Sequence, residues 1–138
     1  MANLIPFRGV LYDPGVVKDI AKVVAPPYDV IDPQYQHALH ARHPNNIIRL
    51  ELGLDQPNDG STHNRYTRAV DQLQAWMTSG ALRRDTDPAI YVYTIEYRPP
   101  TSGTWTDTGA AVKVLKGFLS TVELEEFGTG RIFPHENT

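Results

Sequence analysis

Pro134-His135-Glu136-Asn137-Thr138 puts an imidazole, a carboxylate and a hydroxyl within consecutive reach. A histidine in such a setting can move a proton near neutral pH while the glutamate orients it or binds a metal ion. The spacing differs from H-E-x-x-H, so the helix of a zinc protease is excluded. Reactive groups this dense are usually held by structure on both sides, and the expectation is therefore one domain, residues 1–138, forming the N-terminal portion of a longer protein. A second reactive segment is Ala25-Pro26-Pro27-Tyr28-Asp29-Val30-Ile31. Its prolines fix the local backbone and Tyr28 can pack, so Asp29 would be held at little entropic cost, as a general base or cation ligand requires. A plain turn cap or helix cap is an equal competitor for Asp29. Arg8, Arg49 and Arg65 each offer a planar fork that matches phosphate or carboxylate, and each is equally well read as a surface residue with a packed stem.

These residues define the expected site. Asp29, His135 and Glu136 are the catalytic candidates, Arg8, Tyr28, Arg49, Arg65 and Thr138 the phosphate- or substrate-binding ones, and Asp29 and His135 are expected to approach one another across a cleft. His37, His40 and His43 lie three apart, which brings the first two onto one helical face, but the third rotates away and solvated helix surface outweighs a metal site. No metal ligand is assigned.

The elements that must position these groups follow from periodicity. Phe7 to Leu11 reads as a short strand closed by a turn at Tyr12-Asp13-Pro14-Gly15, and Val16 to Val24 as one or two helical turns ended by Pro26-Pro27. Asp32-Pro33 starts a helix reaching His43, with an N-cap acceptor and a proline where the missing N–H is not needed. Asn46 to Leu52 alternates Ile48, Leu50, Leu52 with Arg49 and Glu51, the pattern of a half-buried strand. Gly53 to Ser61 reads as a loop ending at the caps Ser61 and Thr62. Tyr66, Ala69, Val70, Leu73, Trp76 and Met77 recur at helical spacing, with Gly80 placed to close the helix.

Ile90 to Tyr97 is a strand with Tyr91, Tyr93, Ile95 and Tyr97 on one face. Core or cross-strand packing of that face outweighs a ligand-stacking platform, because no basic groove accompanies it. One or two strands return through Trp105 and Ala111 to Leu124. Short connections favour antiparallel pairing, so the predicted fold class is α+β, a mainly antiparallel sheet packed against two or three helices.

Composition narrows the function classes. Thirteen Lys and Arg against sixteen Asp and Glu give a net charge of −3, with the basic residues scattered, which disfavours nucleic acid and anionic membranes as partners. There is no cysteine, which removes disulfides, thiolate metal sites and thiol nucleophiles together. Neither a signal-peptide pattern nor an apolar run near the roughly 18 residues of a membrane span is present, and a soluble cytoplasmic protein is expected.

Pro6-Phe7-Arg8-Gly9, Val24 to Ile31, Asn46-Ile47-Ile48-Arg49-Leu50, Asn64-Arg65-Tyr66, Ala89 to Tyr93, Leu124 to Gly128 and Pro134 to Thr138 occur in this order. Together they resemble the N-terminal part of the bacterial and archaeal domain-of-unknown-function family 1015. Longer members carry an Asp-Gly-His-His-Arg motif, absent here, that is similar to one in ParB- and sulfiredoxin-like proteins, some of them free-serine kinases. The resemblance implies nucleotide-linked phosphotransfer to a small, serine-like metabolite in the complete protein, with ATP or ADP and magnesium as cofactors and no activity from residues 1–138 alone. The alternative is a non-catalytic docking domain for the remainder of its own chain or another protein. Ile132 and Phe133 further suggest a homodimer through the C-terminal segment, since exposed apolar strand edges find partners.

Overall fold

The computed structural model describes residues 2–99, 111–126, 128 and 133. The described elements are β1 (Leu4–Ile5), β2 (Val10–Tyr12), α1 (Pro14–Val17), α2 (Pro33–Arg42), α3 (Ile48–Glu51) and α4 (Arg65–Ser79). They continue with β3 (Leu82–Arg84), β4 (Tyr91–Tyr97), β5 (Lys113–Leu119) and β6 (Thr121–Val122). Three two-stranded antiparallel sheets, β1–β6, β2–β3 and β4–β5, accompany the four helices, so the chain is α+β. The mainly antiparallel pairing expected from the sequence is present, as these three pairs among the described residues. Among them too, no helix is long and apolar enough to cross a membrane.

The chain forms two compact units, residues 10–85 and residues 1–9 with 86–138. In the second of these, β1 pairs with β6, and Phe7 and Ala89 exchange two backbone hydrogen bonds of 3.1 and 3.0 Å. Tyr91 stacks at a tilt on Phe7, its ring centroid 5.1 Å away, and its hydroxyl accepts the Gly9 N–H at 2.7 Å. A Cβ at Gly9 would stand 2.7 Å from the Tyr91 ring and its hydroxyl, so any larger residue has to displace that ring. Tyr91 ↔ Leu119 through Tyr97 ↔ Lys113 sets the β4–β5 register, with Tyr93 lying across Gly117. The first tyrosine of the expected aromatic face is thus a packing residue.

The unit of residues 10–85 is built around Val17, Val23, Trp76, Ala81 and Leu82, flanked by Tyr12, Ile47, Leu50 and Met77. Removing each such side chain from water stabilises the fold by about 1.5–3 kcal/mol for the larger ones. Several local signals position these residues. The expected turn at Tyr12 to Gly15 is instead the entrance to α1, because Asp13 accepts the Gly15 N–H at 2.8 Å and Pro14 occupies the first helical position. The strand expected at Phe7 to Leu11 is displaced to Val10–Tyr12, where it pairs with β3. After α1 the Asp19 N–H bonds the Val17 carbonyl at 2.7 Å, with Lys18 between them at φ 63 and ψ −42, a strained γ-turn.

α2 starts as its sequence predicts, with the Asp32 carboxylate accepting the Tyr35 N–H at 2.7 Å. It ends at Arg42, ahead of His43-Pro44. α4 is capped by Asn64 rather than by Ser61 or Thr62. The Asn64 amide oxygen accepts the N–H groups of Tyr66 and Thr67, while Thr67 Oγ1 accepts the Asn64 N–H, a reciprocal box that neither upstream hydroxyl can form at that spacing. Gly80 closes α4 in the left-handed conformation, φ 78. Trp76 is buried on the expected stripe, whereas Tyr66 and Val70 remain about two-thirds exposed.

The strand expected over Asn46 to Leu52 is a helical turn, α3. Asn46 is the cause. Its fully buried side chain donates to the carbonyls of Lys22 and Val24, at 2.7 and 3.2 Å, and accepts the Ile48 N–H at 3.0 Å. That last bond bends the chain into a turn two residues on, and Ile47 N–H to Val23 O at 2.7 Å fixes the turn against the preceding segment.

Candidate anion site

α2, α3 and α4 and the loop of residues 53–60 border a half-open cavity of about 140 Å³. Its walls carry His40, Arg49, Arg65, Arg68, Gln56 and Gln72, with Gly53 and Leu54 completing it. None of these is a carboxylate.

Each cation arrives by a different route. Arg49 sits on α3 and its Nη2 donates to the His40 carbonyl at 2.8 Å, an open acceptor in the last turn of α2 that suits a basic group. Its Nε is buried without a hydrogen-bond partner among the described residues. Arg65 and Arg68 lie three apart on one face of α4. Arg68 grips both carboxylate oxygens of Asp59 and also donates to the Leu54 carbonyl at 2.8 Å, drawing the loop onto the helix. Its hydrogen bonds hold the Asp59 carboxyl down at about 2, well below the usual range. Arg65 donates to the Tyr66 hydroxyl at 2.9 Å and meets Asp55 through one contact of 3.4 Å. The Tyr66 bond first, and Asp55 second, keep its guanidinium still more firmly protonated than usual.

Gly53 lets the loop cross close to α4, since a Cβ there would come within 3.3 Å of the Arg65 Cβ and 3.6 Å of the Arg49 carbonyl. Gln36 holds the same crossing from α2, donating to Leu52 O at 3.0 Å. His40 Nε2–H points at the same carbonyl, 3.3 Å away. Burial is the main reason its imidazole is harder to protonate than usual, with Arg49 and His37 adding to the effect against that hydrogen bond. At neutral pH the positive charge of the cavity therefore belongs to the arginines. Half-buried guanidinium groups that outnumber their described carboxylate partners form a site for an oxyanion, because they supply directed, planar donors.

Of the residues singled out in the sequence, Arg49 and Arg65 come together here. Asp29 does not line this cavity; it sits exposed on a one-turn 3₁₀ helix, Tyr28–Val30, with Tyr28 also exposed. Arg8 belongs to the other unit. His135, Glu136 and Thr138, and with them the expected approach of Asp29 and His135, lie outside the described residues. His37 and His43 take local backbone partners, His37 Nδ1–H donating to Pro33 O and His43 Nδ1 accepting the Asn45 N–H. Sequence reasoning missed Arg68 and did not assign His40 to an anion site. The readable signal was Arg65 and Arg68 at helical spacing just after a loop rich in aspartate.

No curated protein and no solved structure matches the chain. A family model described as protein of unknown function (DUF1015) matches residues 4–138, nearly the whole length, and the chain belongs to that family.

Proposed function

We propose that the arginine cavity holds the anionic group of a small metabolite and forms the phosphate-holding half of a nucleotide-linked phosphotransferase site. One observation carries this reading: three guanidinium groups line a space with no carboxylate among its described lining residues, and one of them keeps a buried Nε–H without a partner among the described residues. Phosphoryl transfer depends mostly on positioning and charge neutralisation, which such a cluster supplies. At about 140 Å³ the space equals roughly five water volumes. That suits one oxyanion with a short stem and is too small for a whole nucleotide, whose sugar and base would lie outside. Among the described residues no group of three metal-ligating side chains accompanies the arginines. Asp29, His135 and Glu136 remain the proposed catalytic groups and Arg8, Tyr28 and Thr138 further substrate contacts, on their residue types and the segments that carry them.

Calorimetric titration of inorganic phosphate and ATP into residues 1–138, beside Arg49→Gln, tests the reading. Binding that falls at least tenfold in the variant supports it; equal binding by both proteins, or none by the parent, sinks it. The same preparation should show no phosphorylation of serine by ATP or ADP.

A second reading, a docking domain, also has an observation in its favour. Val92, Val114 and Phe118 on one face of β4–β5, and Ile95, Leu115 and Leu119 on the other, are each about half exposed or more. A two-stranded ribbon apolar on both faces suits burial against a partner. Homodimerisation through the C-terminal segment attaches to this reading, and Phe133 is exposed. Concentration-dependent sedimentation abolished by Phe118→Lys would favour it.

A further inference from the structure

The three arginines of the cavity differ in how their charge is already used. Arg68 is fully committed, its two terminal nitrogens bound to Asp59 and Leu54 O, with both partners of the pair less than a quarter exposed. Arg49 has no acidic partner among the described residues, so its charge is uncompensated. Arg65 is intermediate: among the described residues its ion pair is with Asp55, through a single 3.4 Å approach, and the Asp55 side chain is 74% exposed. Asp55 does not line the cavity; it holds Arg65 from outside.

A ligand with one negative charge would satisfy Arg49 and leave the Arg65–Asp55 pair as it is. A doubly charged group would also draw Arg65, and the loose, solvated Asp55 contact is the one that can give way, since exposed pairs of this kind contribute little. Building on the anion-site reading, we infer that the cavity selects a phosphate monoester dianion over a carboxylate, and that Asp55 is a resident counter-ion which the ligand displaces from Arg65. Asp55 thereby sets specificity without touching the ligand. Asp59 cannot play this part, because its two oxygens are locked on Arg68 and its release would open the loop that walls the site.

The test is a titration of methyl phosphate and of acetate into residues 1–138 at pH 7.5, where the phosphate ester is a dianion. The arginine Nε–H signals are followed by ¹⁵N NMR in the parent, in Asp55→Asn and in Arg65→Gln. Methyl phosphate should bind the parent more tightly than acetate. Asp55→Asn should tighten methyl phosphate about two- to fivefold, the range an exposed ion pair spans, and leave acetate unchanged. Arg65→Gln should erase the preference for phosphate while the Arg49 signal still moves. If Asp55→Asn changes both ligands by the same factor, or neither, the counter-ion role is overturned while the anion site stands. If neither ligand moves the Arg49 signal in the parent, the anion site itself fails.

Discussion

Replacing Asn46 by alanine removes three side-chain hydrogen bonds at a fully buried position: two to the carbonyls of Lys22 and Val24 and one from the Ile48 N–H. Each bond contributes a net of about 0.5–1.5 kcal/mol, and each buried group left unpaired costs about 1–3 kcal/mol. Some relaxation of the exposed segment at Val24 will recover part of this, so the expected loss is about 4 kcal/mol. The chain has two tryptophans, and in a Trp105→Phe background Trp76 alone reports the core of the unit containing Asn46. Urea unfolding followed by its fluorescence should show a midpoint lower by about 2 M if the slope is near 2 kcal/mol per molar. Asn46→Asp sharpens the test, because it sets a carboxylate against two carbonyl oxygens. That variant should be worse than alanine at pH 7 and regain stability as the pH falls and the group protonates, since its folded pKa would be raised. A loss below about 1 kcal/mol for alanine would show that water replaces the amide and that Asn46 does not shape α3.

Three further outcomes are expected. Stability should decline as the pH falls below about 6.5, because His40 is harder to protonate when folded and the unfolded chain takes up the proton first; denaturant midpoints from pH 8 to 5 should fall less in His40→Gln than in the parent. The Arg68–Asp59 clasp should stay intact until the pH drops below the ordinary carboxylate range and then fail towards about 2, so Asp59→Asn should remove that acid limb from an unfolding profile. Lys18→Gly should raise stability by about 1 kcal/mol in the same urea assay, because the γ-turn at φ 63 strains any residue with a Cβ.

What the sequence made legible was local. Asp32-Pro33, Gly80 and the β-branched and aromatic run before Tyr97 each act within a few residues, and the structure places α2, the end of α4 and β4 accordingly. Asn46 to Leu52 misled because seven residues are too few to separate period 2 from a single helical turn. The deciding contacts reach back more than twenty residues to Lys22 and Val24. The α4 cap failed for a smaller reason: Ser61, Thr62 and Asn64 are all good caps, and only Asn64 has a hydroxyl three positions on to complete the box. In the site, Arg49 and Arg65 were visible as residue types. Their convergence was not, because it depends on α3 packing against α4 across the intervening loop, which no local pattern encodes.

The pull of Arg68 on the loop has a kinetic consequence. The wall formed by Leu54 and Gln56 is held on α4 most closely by the grip of Arg68 on Asp59 and Leu54, with the Asn64 amide on the Gly60 carbonyl and the looser Arg65–Asp55 contact beside it. Opening the loop then becomes a local unfolding event that leaves the core around Trp76 intact. Residence of any occupant would be bounded by that opening rate, and amide hydrogen exchange across residues 54–59 would slow when the space is filled. In Arg68→Gln the same amides should exchange as fast as those of an unstructured peptide while α4 stays protected, which makes the clasp a clock for the site as well as its fastening.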